Sequence, residues 1–146
     1  MRFRLVIDPS QDEEIVATVH NPNDLTRQLE ELVLSHNGTD KLPAYANEEL
    51  RLLAFSNISC ITVLDGKTYA IDDQGQQYRL KLRLYELEAL LPHYFIKINK
   101  SAIANENRIA RFYAGYSGAV DVVFQCGYRE YVSRRCFAEI KRRFQL

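Results

Sequence analysis

The sequence predicts a mostly β protein of the α+β class, with small antiparallel sheets, a C-terminal helix and a small β-β-α extension at the N-terminus. Short apolar runs separated by turn residues fill residues 48–132, as expected for antiparallel strands joined by tight turns. Phe137, Ile140 and Phe144 then recur at helical spacing, which predicts a helix with one buried face. A chain of 146 residues can form one domain with a single hydrophobic core and a small appendage.

The extension is predicted from three segments near the N-terminus. Apolar side chains alternate over residues 3–7 and again over residues 15–19, which predicts two strands. A helix is predicted to begin at an N-cap of Asn23 or Asp24 and to end at Gly38. Four apolar residues at helical spacing form its expected buried face: Leu25, Leu29, Leu32 and Val33.

A linker is predicted at residues 39–46, because Pro43 interrupts the pattern there and the character of the sequence changes after it. The linker divides the chain into the extension, residues 1–44, and a main domain, residues 45–146. The extension is too small to hold a core alone, so we expect it to serve oligomerisation or a regulatory contact.

Seven strands are predicted in the main domain on either side of its centre. They are expected at residues 50–55, 58–64, 68–71, 77–84, 109–116, 119–124 and 128–132. In the fourth of these runs, Arg79, Lys81 and Arg83 alternate with leucines and form one charged face. We interpret that face as a solvated outer surface, since charged outer faces are common in antiparallel sheets.

The centre of the main domain contains a polar turn between apolar segments. A short amphipathic helix is predicted at residues 84–91, where Pro92 ends it. An extended apolar run follows and opens into Asn99-Lys100-Ser101. Cations beside small hydrogen-bonding side chains are typical of a loop that contacts phosphates or bases, but a solvated hairpin tip has the same composition. The composition leaves both interpretations open.

The C-terminal helix carries a second candidate contact at its start. Ser133 is the predicted N-cap, and Arg134 and Arg135 lie in the first turn. Backbone amides already make this end of a helix positive, so the two arginines are unfavourable there by a few tenths of a kcal/mol each, roughly. A bound anion reverses that balance, and arginine also recognises guanine through its planar fork.

Charge is unevenly distributed along the chain, although the formal net charge is zero. Residues 1–50 carry 4 Lys/Arg and 10 Asp/Glu, a net charge of −6. Residues 51–146 carry 15 and 9, a net charge of +6. This split favours nucleic-acid binding by the second part of the chain.

Composition and motifs also exclude several classes of protein. No apolar run approaches the ~20 residues of a membrane helix, and the N-terminus lacks the features of a signal peptide, so a cytoplasmic location is predicted. The three cysteines are scattered, which favours reduced thiols over disulfides or a zinc site: Cys60, Cys126 and Cys136. Phosphate-binding loops, dinucleotide fingerprints and zinc-protease motifs are missing from the sequence. We therefore expect no catalytic residues, no cofactor and no metal.

Three motifs follow one another along the main domain: L-x-E-L-E-x-L-L at residues 84–91, F-x-K-I-N-K-S-x-I-x-N at 95–105 and V-S-R-R at 132–135. Together they resemble the LytTR DNA-binding domain, a family of bacterial transcription regulators, over residues 48–144. The resemblance implies a mostly β fold, an elongated set of small sheets whose edge loops enter the DNA major groove. Many family members also carry a phosphoacceptor receiver domain, for which the extension is too short.

The resemblance implies three places that contact bases or nearby phosphates: the loop after the second strand, the turn that follows F-x-K-I, and the arginines of V-S-R-R. The DNA-binding residues expected here are Lys67, Thr68, Lys97, Asn99, Lys100, Ser101, Arg134 and Arg135. Some members have His in the first loop, and Lys100 stands where others often have Arg. V-S-R-R matches intact, so Arg135 is the base contact that we expect first.

The expected function is that of a stand-alone, cytoplasmic transcription regulator that binds double-stranded promoter DNA. The resemblance further implies a homodimer on DNA and a small membrane-bound inhibitor protein as a partner. The alternative is a protein-interaction module that keeps the fold but no longer binds DNA, which the neutral total charge and the acidic extension favour. A small all-β enzyme is a third class, for which the sequence offers no motif.

Overall fold

The structure is a computed structural model that describes residues 1–38, 40–115 and 117–145. Its helices and strands follow in the order α1 (Asp24–His36), β1 (Lys41–Ala46), β2 (Glu49–Ala54), β3 (Ile58–Leu64), β4 (Lys67–Asp72), β5 (Gln77–Leu80), α2 (Leu84–Leu90), β6 (Phe95–Asn99), β7 (Ala102–Asn105), β8 (Ile109–Ala114), β9 (Val120–Phe124), β10 (Arg129–Val132) and α3 (Arg134–Phe144). Short 3-10 turns at Phe55–Asn57 and Glu106–Arg108 precede β3 and β8.

The strands form two antiparallel sheets. The large sheet has seven strands in the order β2-β1-β5-β4-β3-β7-β6, and the small sheet has three in the order β10-β9-β8. The small sheet and α3 pack on one face of the large sheet, and α1 and α2 pack on the other. The predicted mostly β fold with a C-terminal helix is confirmed.

Two apolar clusters lie on opposite faces of the large sheet, because successive side chains of a strand point to opposite sides. Ile61 belongs to the cluster that α2 covers through the buried Leu87. Its neighbour Cys60 belongs to the cluster under the small sheet, where Phe124 and Ile140 are also buried. Each face of β3 is therefore covered, and this strand anchors the turns at its ends.

The two strands predicted in the extension are wrong. Residues 1–23 contain neither helix nor strand, and apolar side chains there are open to solvent: Phe3 is 90% exposed and Ile7 85%. An alternating pattern forms a strand only when neighbouring backbone groups pair with it, and residues 1–23 have no such neighbour in the described part of one copy of the chain. The predicted helix is confirmed as α1, capped by Asn23, whose side chain accepts a hydrogen bond from the amide of Thr26.

The predicted linker is also wrong over residues 41–46, which form β1. Its first residue, Thr39, lies outside the described residues. β1 pairs with β2 along its whole length, with Pro43 opposite Leu52, but with β5 only at Tyr45, opposite Arg79. A sparse ladder on one side is compatible with a proline in the strand. The boundary suggested by the sequence, between residues 44 and 45, therefore falls inside a strand.

The predicted run at residues 77–84 is shorter than expected. β5 ends at Leu80, and Leu84 already begins α2, whose predicted position is confirmed. Leu84 fits both the alternating pattern of the predicted strand and the helical spacing of the leucines that follow it. The helical spacing decided the structure at this residue. The last residue of the predicted run 109–116, Tyr116, lies outside the described residues.

Candidate nucleic-acid interface

The three predicted contact regions lie at the same end of the strands of the large sheet. Antiparallel neighbours bring the β3–β4 turn beside the β6–β7 turn, and the amide of Val63 donates to the carbonyl of Ser101 at 2.8 Å. The amide of Ser133, just before α3, donates to the carbonyl of Ile98 at 2.8 Å. Four exposed cations result, which we call the basic edge: Lys67, Lys100, Arg134 and Arg135.

The β6–β7 turn is held by Asn99, which is buried. Its side-chain oxygen accepts a hydrogen bond from the amide of Ser101 at 2.7 Å, and its side-chain nitrogen donates to the carbonyl of Tyr131 at 2.7 Å. The amide is thus used inside the protein, between the turn and β10. Asn99 therefore shapes the turn that presents Lys100.

Replacing Asn99 by alanine should destabilise the fold by about 2 kcal/mol, because the amide of Ser101 and the carbonyl of Tyr131 lose their hydrogen bonds to the buried Asn99 side chain. Lys100→Ala, on the same turn but exposed, should change the free energy of unfolding by less than about 0.5 kcal/mol. Urea denaturation of both variants measures the difference. Equal stabilities would show that the Asn99 hydrogen bonds do not hold the turn.

Lys97 and Lys100 flank the turn differently. Lys97 is exposed on β6, and its ammonium lies 3.1 Å from the carboxylate of Glu88 on α2. An exposed pair of this kind contributes little, so a phosphate can replace the carboxylate at small cost. Lys100 and the half-buried Ser101 occupy the turn itself. Lys97 is suited to a phosphate contact, and Lys100 to a contact at the tip.

Helix α3 presents its N-terminus at the basic edge. The Ser133 hydroxyl accepts a hydrogen bond from the amide of Cys136 at 3.2 Å, which confirms the predicted N-cap. No acidic residue occupies the first turn, where Arg134 and Arg135 are both exposed. The helix N-terminus and the two arginines thus have no acidic residue to balance them in this turn, which favours an anion there.

The two residues of the first predicted contact region, at the β3–β4 turn, point to opposite faces of the sheet. Lys67 begins β4 and is exposed, whereas Thr68 is buried opposite Leu80 of β5. Asp65 and Gly66 make the turn with positive φ angles of 51° and 75°. Lys67 is available to a ligand at this edge, and Thr68 contributes to packing under it.

A supporting layer behind the turn was not predicted from the sequence. The Tyr128 hydroxyl donates to a carboxylate oxygen of Glu130 at 2.6 Å, and the Asn99 side chain approaches the other oxygen at 3.5 Å. Burial, and then the bond to Glu130, raise the pKa of the Tyr128 phenol, so it stays protonated and keeps donating. Only the fold brings these residues together, because 29 positions separate Asn99 from Tyr128.

Helix α1 lies at the opposite end of the sheet. The amide of His93, before β6, donates to Glu30 at 2.9 Å, and the His93 ring contacts the same carboxylate. The carbonyl of His93 accepts a hydrogen bond from Arg143 in the last turn of α3, and Arg143 pairs with Glu106 at 2.7 Å. We call this cluster the α1 junction. Because β6 runs from here to its turn, α1 and its acidic residues are held away from the basic edge.

Neither a metal site nor a membrane helix is found in the part of the chain that the structure describes. No group of three or more His, Cys, Asp or Glu side chains could hold a metal ion there. Among these residues, no helix is long and apolar enough to cross a membrane. Burial raises the pKa of the Cys60 thiol, which favours the protonated form.

The antiparallel fold and the exposed cations at one of its edges define the class of small β domains that present a basic surface to nucleic acid. Known proteins make this specific. Residues 48–145 match the model of the LytTr DNA-binding domain, and the chain belongs to that family. The family is one of DNA-binding transcription regulators and not of enzymes.

Two relatives share the whole length of the chain. Proteins of Staphylococcus aureus strains bovine RF122 / ET3-1 and NCTC 8325 / PS 47, each named as an uncharacterized HTH-type transcriptional regulator, are 30% identical over 149 residues, which is 100% of this chain and 99% of each relative. A solved LytTr DNA-binding domain of a methyl-accepting/DNA response regulator from Bacillus cereus has the same fold. It matches 73% of this chain and 98% of its own, with a TM-score of 0.67 and 23% identity.

Proposed function

We propose that this protein is a sequence-specific regulator that places the basic edge in the major groove of promoter DNA, in the cytoplasm of a bacterial cell. The observation that carries the proposal is that Lys100, Arg134 and Arg135 are exposed together, without a carboxylate within 4.0 Å among the described residues. Backbone and Asn99 hydrogen bonds fix the elements that carry them. Preorganised cations on a rigid edge favour a polyanionic ligand over solvent.

The residues of the site have different roles in this proposal. Arg135 forks onto a guanine, whose O6 and N7 accept two hydrogen bonds in the major groove. Lys97, Lys100 and Arg134 contact phosphates and fix the register of the protein on the duplex. Lys67 contacts the DNA backbone from the neighbouring β3–β4 turn. The expected contacts of Thr68, Asn99 and Ser101 are then indirect, through the shape of the two turns.

Two copies on DNA are also part of the proposal, because one edge offers few base contacts. The exposed apolar side chains of residues 1–23 support a role of the extension in self-association or in contact with a regulatory partner, such as the small membrane-bound inhibitor expected from the family. Leu50 and Leu52 on β2, at the edge of the large sheet, are exposed as well. An unpaired strand edge of this kind can accept a further strand.

Salt titration tests the binding mode. Four phosphate contacts, by Lys67, Lys97, Lys100 and Arg134, should give a slope of log affinity against log salt of about −4 for one copy. A duplex with two half-sites should give about twice that value. Fluorescence anisotropy on the DNA upstream of the protein's own gene, with random duplex as competitor, measures both. Absence of selective binding to that DNA would favour the protein-interaction alternative.

The same titration tests the role of the extension when it is repeated on protein lacking residues 1–22, a deletion that spares α1 and its cap Asn23. Binding of one copy should keep its slope, while the cooperative gain on two half-sites should fall. A strong gain in affinity for one half-site would instead mean that the extension covers the basic edge.

A further inference from the structure

A row of cations and tyrosines lies beside Lys67 on the part of the large sheet that the small sheet leaves open. The register places Arg79 opposite Tyr69 of β4 and opposite Tyr45 of β1. The Arg79 guanidinium carbon lies 5.9 Å from the centre of the Tyr69 ring, and the Lys81 ammonium lies 4.8 Å from the centre of the Tyr45 ring. We call these four residues the β5 strip.

Both cations of the β5 strip are held without being neutralised. No carboxylate lies within 4.0 Å of Arg79 or Lys81 among residues 1–38, 40–115 and 117–145. A tyrosine ring attracts a cation through its quadrupole and adds no negative charge. The side chains are therefore positioned in advance, which lowers the cost of ordering them around an anion.

The part of a nucleic acid that fits the β5 strip is a phosphate and not a base. A base that stacks needs the face of an aromatic ring, and here the cations already occupy a face of Tyr45 and of Tyr69. Arginine, lysine and tyrosine hydroxyls all contact phosphate oxygens in protein–DNA complexes. The row therefore has the chemistry of a backbone contact.

Position along the sheet decides which phosphates the strip reaches. β5 ends at the basic edge, since Leu80 pairs with Thr68 at the start of β4. Three strand spacings separate β5 from β7, which is roughly 14 Å at about 4.8 Å per strand. The major groove is only about 12 Å wide, so a strip this far from Lys100 lies beyond a groove that holds the β6–β7 turn.

We propose that the β5 strip binds phosphates of duplex DNA that flank the bases read by the basic edge. This inference rests on the proposed function and extends it, because the strip lies outside the three places expected from the family. Contacts with flanking phosphates carry no sequence information. The strip therefore adds affinity that depends on the length of the duplex and not on its sequence.

The test uses the full chain and two duplexes from the DNA upstream of its own gene. One is trimmed to the base pairs whose replacement changes the affinity, and the other is extended by a helical turn on each side. The double variant Arg79→Gln/Lys81→Gln should weaken binding to the long duplex about tenfold at 0.1 M salt and reduce the salt slope by about 2. Binding to the short duplex, and the preference over random DNA of equal length, should stay unchanged. Thermal unfolding verifies that the variant is folded.

Lys141→Gln/Arg142→Gln provides the matched control, since it removes two exposed charges from the far end of α3, one of them resting on the Phe137 ring at 4.9 Å. It should leave both affinities unchanged. Unchanged binding of the strip variant to the long duplex would overturn the proposal, and so would an equal loss on both duplexes. If the wild-type protein shows no preference for its own upstream DNA, the proposed function itself fails.

Discussion

Arg135→Ala should weaken specific DNA binding by about 1–3 kcal/mol, or about 5- to 150-fold in Kd, and relax the preference for one base pair. The reason is that a bidentate fork onto guanine has no equivalent in the shorter side chain. Affinity for random DNA should fall much less, by one phosphate contact at most. Binding constants on the upstream DNA and on duplexes with each base changed in turn measure both quantities.

Two control variants sharpen the interpretation of Arg135. Arg135→Lys keeps the charge but loses the planar fork, so it should retain affinity for random DNA and still lose the base preference. Arg142→Ala removes an exposed arginine at the other end of the same helix and should bind normally. Equal losses on specific and random DNA for Arg135→Ala would make this residue a phosphate contact.

Ile140→Ala should lower the free energy of unfolding by about 2–5 kcal/mol, the usual cost of removing a buried isoleucine side chain beyond the β carbon. Ile140 is the buried residue of α3 and packs in the cluster that contains Ile98 and Phe124. Loss of this anchor should also loosen the helix that presents Arg135. Urea denaturation gives the stability, and hydrogen exchange of α3 amides gives the local opening.

Glu139→Ala is the matched control for Ile140, because the neighbouring side chain is exposed on the same helix. It should change stability by no more than about 0.5 kcal/mol. If Ile140→Ala costs as little, α3 is held mainly by Arg143 and by its cap at Ser133, and the packing assigned to this helix is wrong.

The main domain was largely predictable because the apolar residues that mark its strands in the sequence are also the residues buried in the structure. Residues 58–64 and 119–124 were predicted as strands and occur almost unchanged as β3 and β9. Their apolar side chains find the core that the pattern implied. Ser133 was equally predictable, since an N-cap depends only on its nearest neighbours.

The secondary-structure predictions were wrong where pairing with another strand determined the structure. Residues 3–7 alternate like a strand, yet none of the residues that the structure describes pairs with them. Pro43 indicated a linker, but the incomplete pairing of β1 with β5 leaves room for it. Neither fact can be obtained from local pattern, because each depends on which strand lies alongside.

The site was predictable in its charges but not in its support. The four cations of the basic edge are exposed, as a ligand contact requires. Asn99 and Thr68 were predicted beside them and are buried instead. Their side chains are short and polar, which suits either a contact or an internal hydrogen bond, and only the position of Tyr131 and of β5 distinguishes the two.

Helix α3 touches both ends of the molecule's large sheet: its first turn carries Arg135, and Arg143 in its last turn belongs to the α1 junction. With 11 residues at about 1.5 Å each, the two ends are roughly 16 Å apart and move as one body. Thermodynamic linkage between such ends is reciprocal. If the proposed contact of Arg135 with DNA holds, a partner that separates α1 from His93 should change the affinity for DNA, and DNA should change the affinity for that partner by the same free energy.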